Sequence, residues 1–143
     1  MFTMSKKSAA LLISAASLFT LSFSANAHHA FSAEFDAQKP LELKGTITQA
    51  RWVNPHSWIY VDVKNADGTV SNWGFEFGAP FSLKQKGLTK TTLPIGTEIK
   101  LKGYRSKNDS NYAYSTSITL ADGQVFQTGG AQDAPEPAAP AAQ

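Results

Sequence analysis

The chain has 143 residues, about one domain's worth, with 13 basic and 11 acidic side chains. It has no cysteine, which excludes disulfides, thiol nucleophiles and the thiolate ligands that favour Cu(I). The basic excess is carried by Lys6 and Lys7; without them the charges balance at 11 of each sign. A mature chain so close to neutral lacks the footprint of a nucleic-acid binder, and no nucleic-acid partner is expected.

Residues 1–27 read as an export signal. Lys6 and Lys7 form a positive n-region, Ser8 to Phe23 an apolar h-region, and Ala25-Asn26-Ala27 a small-x-small cleavage site. The apolar run falls short of the ~20 residues that span a bilayer, and no second candidate follows. Cleavage before His28 is therefore expected, with an uncleaved anchor as the alternative. Both methionines, Met1 and Met4, leave with the signal. A periplasmic protein with no transmembrane segment after processing is the expectation.

Residues 28–40 form a polar lead with two large apolar anchors, Phe31 and Phe35. A first strand is predicted over Leu41 to Val53, with Leu43, Gly45 and Ile47 on one face. Gly45 in mid-strand suggests strong coiling or a bulge. Asn54-Pro55-His56 is the turn that follows. Trp58 to Lys64 reads as a second strand with Ile59, Val61 and Val63 inward, and Asn65-Ala66-Asp67-Gly68 as a hairpin turn. Val70 to Phe77 is a third strand, Phe81 to Lys86 a short helix between Pro80 and Gly87, and Glu98 to Tyr104 a fourth strand. Tyr112 to Leu120 is the fifth strand, and Gln124 to Thr128 a short sixth.

Residues 129–143 are rich in Ala, Pro and Gly and are expected to be a disordered tail. Three strands, a helix and then two further strands predict an all-β protein with one short helix. Over residues 28–128 the expected architecture is a small OB-fold-like barrel of five to six strands.

A set of motifs in this chain resembles a family of small exported bacterial proteins known as a domain of unknown function. They are His28-His29-Ala30-Phe31, Glu34-Phe35-Asp36, Lys39-Pro40, Gly45-Thr46, Trp52-Val53-Asn54-Pro55-His56, Asn72-Trp73 and Gly103-Tyr104-Arg105. The similarity covers nearly all of residues 28–128. It implies export and a small β-barrel-like domain, and it brings no reaction, ligand or catalytic residue with it.

The chain's three histidines are His28, His29 and His56. Once the signal is cut, the His28 α-amine and ring Nδ1 can chelate one metal. The amine's pKa near ~7.7–8 lets a metal displace its proton at neutral pH. A second imidazole from His56 completes three nitrogens, an arrangement known as a histidine brace and suited to Cu(II), with Zn(II) second. His29 is the reserve ligand in a purely local chelate. Closure of the brace requires the lead to run back alongside the barrel, pinned by Phe31 and Phe35. The plainer reading is a frayed terminus and a turn histidine that bonds a nearby carbonyl. Glu34, Asp36 and Glu76 are spare oxygen ligands or, more plainly, solvated carboxylates.

Trp58, Tyr60, Tyr104, Tyr112 and Tyr114 form a candidate ligand face, as on barrels that bind oligosaccharides. A sugar or a small aromatic molecule suits an exported neutral chain better than nucleic acid does. Otherwise the tyrosines cover the barrel with their hydroxyls in water, and Trp52, Trp73, Phe75 and Phe77 are core. Neither a nucleophile elbow nor a phosphate loop is present. The expectation is an exported binding module rather than an enzyme, with bound Cu(II) or Zn(II) or no cofactor, and with a small molecule, a sugar or an envelope protein as partner. A copper oxidoreductase using the same brace, and a structural envelope protein without a metal, are the alternatives.

Overall fold

Alternating apolar and polar residues write about half of the described residues as strands. The computed structural model describes residues 31–135 and orders them as the alternation requires. A single helical turn, α1 (Phe31–Glu34), leads into β1 (Phe35–Arg51). After it come β2 (Ser57–Lys64), β3 (Val70–Phe77), α2 (Pro80–Gln85), β4 (Glu98–Ser106), β5 (Tyr112–Leu120) and β6 (Val125–Gln127). They form one six-stranded sheet in the order β3-β2-β1-β4-β5-β6. Neighbours in that order are antiparallel. A further parallel pairing of β3 with β5, through Gly74–Tyr112, Phe75–Ala113 and Glu76–Tyr114, joins the sheet into a ring.

Ring closure needs a long, coiled first strand, and the residues of β1 supply it. Its 17 residues pair with β2 over Thr46 to Arg51 and with β4 over Phe35 to Thr46. The register shifts between Ile47 and Gln49, just past the glycine that the sequence marks for coiling. A Cβ on Gly45 would stand 2.7 Å from the Asp62 carbonyl oxygen and 3.1 Å from Val61 Cβ. Only glycine lets β1 cross β2 this closely. The strand also starts earlier than Leu41, because Phe35 pairs with Ser106 across a second register shift. In step with that, β4 runs past Tyr104 to Ser106.

Inward residues of the strands fill the ring. Ile47, Ile59, Val61, Phe75, Leu101 and Ile118 are among those buried, and Leu83 of α2 joins them with Leu88 and Leu93. Each such side chain contributes roughly 1.5–3 kcal/mol of burial. Pro80 starts α2, and Gly87, at φ 89°, ends it; the Leu88 N–H donates back to the Leu83 carbonyl at 2.9 Å, a glycine-terminated helix end. The Asn54–Pro55 peptide is cis. Arg105 lays its guanidinium 5.1 Å from the centre of the Trp73 ring.

Two expectations need amendment. Along β3 burial stops alternating, and Trp73 to Phe77 are all buried, because one face meets the core and the other is covered from outside. Within the expected tail, Gly130 and Ala131 donate to Tyr114 Oη and Asp133 accepts from Phe31 and Ser32. Residues 136–143 and the export-signal stretch 1–27 lie outside the described residues. Among the described residues no helix is long and apolar enough to cross a membrane.

Gly103 sits at the register shift between β4 and β5. A Cβ there would collide with the Tyr114 carbonyl and stand 3.2 Å from Ser115 Cα. Urea unfolding of Gly103→Ala is expected to show a loss of roughly 2–4 kcal/mol. Gly78→Ala, whose Cβ meets nothing closer than 3.5 Å, should change stability by less than about 1 kcal/mol.

Candidate functional site

Ser57 is buried and inward, so strand alternation sets its neighbours His56 and Trp58 on the outer surface. Glu76 is the register partner of Trp58 on one side and of Tyr114 on the other, and directly opposed residues share a face. The turn therefore delivers His56 to a carboxylate. His56 Nδ1 lies 2.8 Å from Glu76 Oε1, with the two side chains 17% and 6% exposed. Glu76, read from the sequence as a solvated carboxylate or spare ligand, is instead buried beside an imidazole.

Burial, and after it the Glu34 carboxylate, pushes the Glu76 carboxyl up to about 7. A cation beside the carboxyl would act in the opposite direction. With Nδ1 held by the carboxylate, any metal bond His56 makes is through Nε2. This carboxylate–imidazole contact is the one that commonly orients metal-binding histidines.

Above Glu76 the lead is tied down. Phe31, Phe35 and Tyr114 form a second buried cluster. The Phe31 ring meets Tyr114 edge-on at 5.1 Å and Tyr104 at 5.5 Å. Asp133 accepts hydrogen bonds from the Phe31 and Ser32 N–H groups at 2.8 and 3.0 Å. From the other side, the Lys107 N–H donates to the Glu34 carbonyl at 2.9 Å, and Lys107 Nζ donates to the Ser32 carbonyl at 2.5 Å. Of the lead, Phe35 to Pro40 form the start of β1 alongside β4, and Phe31 and Phe35 are both buried. His28 and His29 lie outside the described residues. Covalent geometry keeps the His28 Cα within ~11 Å of the Phe31 Cα. Among the described residues no group of three or more His, Asp or Glu is placed to hold a metal ion.

The expected aromatic face divides in two. Trp58 stacks on Tyr60 at 6.5 Å and meets Tyr112 edge-on at 5.7 Å. Gly74 lies beneath them: a Cβ there would stand 2.7 Å from Tyr112 and 3.1 Å from Tyr60. Tyr104 and Tyr114 turn instead toward Phe31. Tyr114 is buried, so it is not part of an open ligand face, and Tyr104 is half-buried. Between α1, the β4–β5 loop and the Trp58–Tyr112 wall runs a groove of about 370 Å³, whose lining includes Glu34, Lys107 and Asn108.

Sequence reasoning offered Glu76 as a spare oxygen ligand but missed its burial against His56, and it missed Asp133 altogether. The signal for Glu76 was its place in Trp73-Gly74-Phe75-Glu76-Phe77, a run too apolar for one wet face. Asp133 gave no signal, since its partners are backbone groups 101 and 102 residues away.

Fold and site together define a small domain of ring-closed β-sheet with a buried histidine–glutamate pair on its outer face. The chain belongs to the Family of unknown function (DUF6152), whose model matches residues 15–114. No curated protein matches the chain, and no solved structure does.

The Glu76 carboxyl binds its proton more tightly in the folded state, about 7 against 4.5. Stability therefore falls as pH rises through that interval, because the unfolded chain has already released the proton. In metal-free protein, urea unfolding at pH 5 and pH 8 is expected to differ on the order of 1–3 kcal/mol. Glu76→Gln should flatten that difference. An equal slope in both proteins would show that Glu76 does not set it.

Proposed function

We propose that the protein is an exported, periplasmic binding module on an OB-like barrel, and that it holds one divalent metal ion, Cu(II) first and Zn(II) second. The cyclic strand order β1-β2-β3-β5-β4, with α2 between β3 and β4, supports the barrel reading. The metal is held by the α-amine and ring of a processed His28 and by His56 through Nε2, with His29 in reserve. Glu76 orients His56 and, with Glu34, supplies negative charge that favours a bound cation.

The observation that carries this reading is the buried 2.8 Å contact between His56 Nδ1 and Glu76, on the face to which Phe31 is pinned. Such a contact suits a metal ligand, because the carboxylate fixes the tautomer and raises the basicity of Nε2.

Calorimetry and electron paramagnetic resonance on mature protein beginning at His28 test the proposal. One equivalent of Cu(II) should bind, His56→Ala should weaken binding at least tenfold, and Glu76→Gln should weaken it by about 10–100-fold. Equal binding by wild type and His56→Ala would leave only a local His28–His29 chelate. Turnover of oxygen or peroxide above that of free copper would reassign the site to an oxidoreductase.

A further inference from the structure

We propose that the groove between the Trp58–Tyr112 wall and the β4–β5 loop is a carbohydrate site. It takes a short neutral saccharide, the ring face against Trp58 and Tyr112 and the hydroxyls toward Glu34, Lys107 and Asn108. The site works without a metal ion. At about 370 Å³ the groove lies at the small end of the range for small-molecule sites.

Strand pairing builds the floor and one wall before any ligand arrives. The floor is the register pair Phe35–Ser106 of β1 and β4, both buried. Trp58 of β2 and Tyr112 at the start of β5 meet edge-on at 5.7 Å. Tyr60 stacks against Trp58 at 6.5 Å without itself lining the groove. Tyr112 rests over Gly74, where a Cβ would stand 2.7 Å from its ring, so a missing side chain on β3 sets where the wall stands. Yet the wall keeps apolar surface in water: Tyr112 is 45% exposed and Trp58 is half-buried. Aromatic rings held by their neighbours and still open give a contact surface that costs little to order on binding.

The opposite wall is polar and equally fixed. Lys39 Nζ donates to Asp109 Oδ1 at 2.8 Å, and the Arg105 guanidinium donates to the Asp109 carbonyl at 2.7 Å. Ser106 and Ser110 share a hydroxyl–hydroxyl bond of 3.0 Å. Asn108 Oδ1 accepts from the Ser110 N–H at 3.1 Å and from its hydroxyl at 2.7 Å. Those bonds orient the amide and leave its two N–H donors unspent among the described residues. Glu34 and Lys107 bring one charge of each sign to the same groove. An anion is opposed by Glu34 and a cation by Lys107. Neutral hydroxyls, which both donate and accept, match the carboxylate, the ammonium and the amide together. A flat aromatic ligand would use the aromatic wall but cover the polar one without pairing it. A pyranose has both surfaces, an apolar C–H face and a polar rim.

Isotope-labelled mature protein, titrated with cellobiose, chitobiose, maltose and lactose in the presence of a chelator, tests the proposal. At least one sugar should shift the Trp58 indole N–H, the amides of residues 107–110 and that of Tyr112 together. Trp58→Ala should weaken that binding about tenfold, the loss of one stacking contact. Asn108→Asp keeps the Oδ1 acceptor for Ser110 and removes the amide donors, so it should weaken binding roughly 3–10-fold with an unchanged spectrum elsewhere. Lying on an exposed loop, it keeps the fold even where Trp58→Ala does not. A groove left unshifted at the solubility limit of every sugar would overturn the proposal. So would sugar binding undiminished in both variants, or binding of benzoate or inorganic phosphate in place of the sugars.

Discussion

The parallel pairing of β3 with β5 is the constraint on which the rest depends. Three register partners, Gly74–Tyr112, Phe75–Ala113 and Glu76–Tyr114, join the two ends of the curved sheet. An antiparallel meander alone leaves β3 as an edge with a wet outer face. Closure gives that strand a neighbour on both sides, so its outward residues come under the side chains of β2 and β5. Gly74 is then needed beneath Tyr60 and Tyr112, and Glu76 is enclosed between Trp58 and Tyr114. The site is a product of closure rather than of any local motif.

Burying a carboxylate is costly unless it is partnered. Glu76 meets that cost with His56, whose Nδ1 lies 2.8 Å from its carboxylate. The neighbouring Glu34 raises the cost further. Two carboxylates brought near each other on an aromatic-walled face favour a cation between or beside them, which is the electrostatic case for a metal. Packing of Phe31 on Tyr114 and the clamp from Asp133 bring the chain's lead to the same place.

How much of this was legible follows from how local each signal is. The period-two runs from Trp58 to Lys64 and Tyr112 to Leu120, the Asp67-Gly68 hairpin turn and the Pro80–Gly87 frame of α2 are local, and they emerge in the structure nearly where the residues put them. Gly45 announced coiling because a glycine inside a strand has few other uses. The histidine in its turn and the aromatic anchors of the lead were legible in the same way. What stayed hidden was non-local. The β3–β5 pairing joins residues far apart in sequence, so Glu76 read as solvated and Tyr114 as open surface. The packed start of the tail was invisible because Asp133, Gly130 and Ala131 find their partners in a distant backbone and a distant hydroxyl, which composition cannot report.

The most direct test of a terminus seated on this face is the paramagnetic broadening of amide resonances when the mature protein receives substoichiometric Cu(II). A seated terminus predicts simultaneous broadening at Phe31, at residues 56–58 and at Glu76 and Tyr114, segments that only the folded ring brings together. Broadening confined to the first few residues, with His56 and Glu76 left sharp, would contradict it.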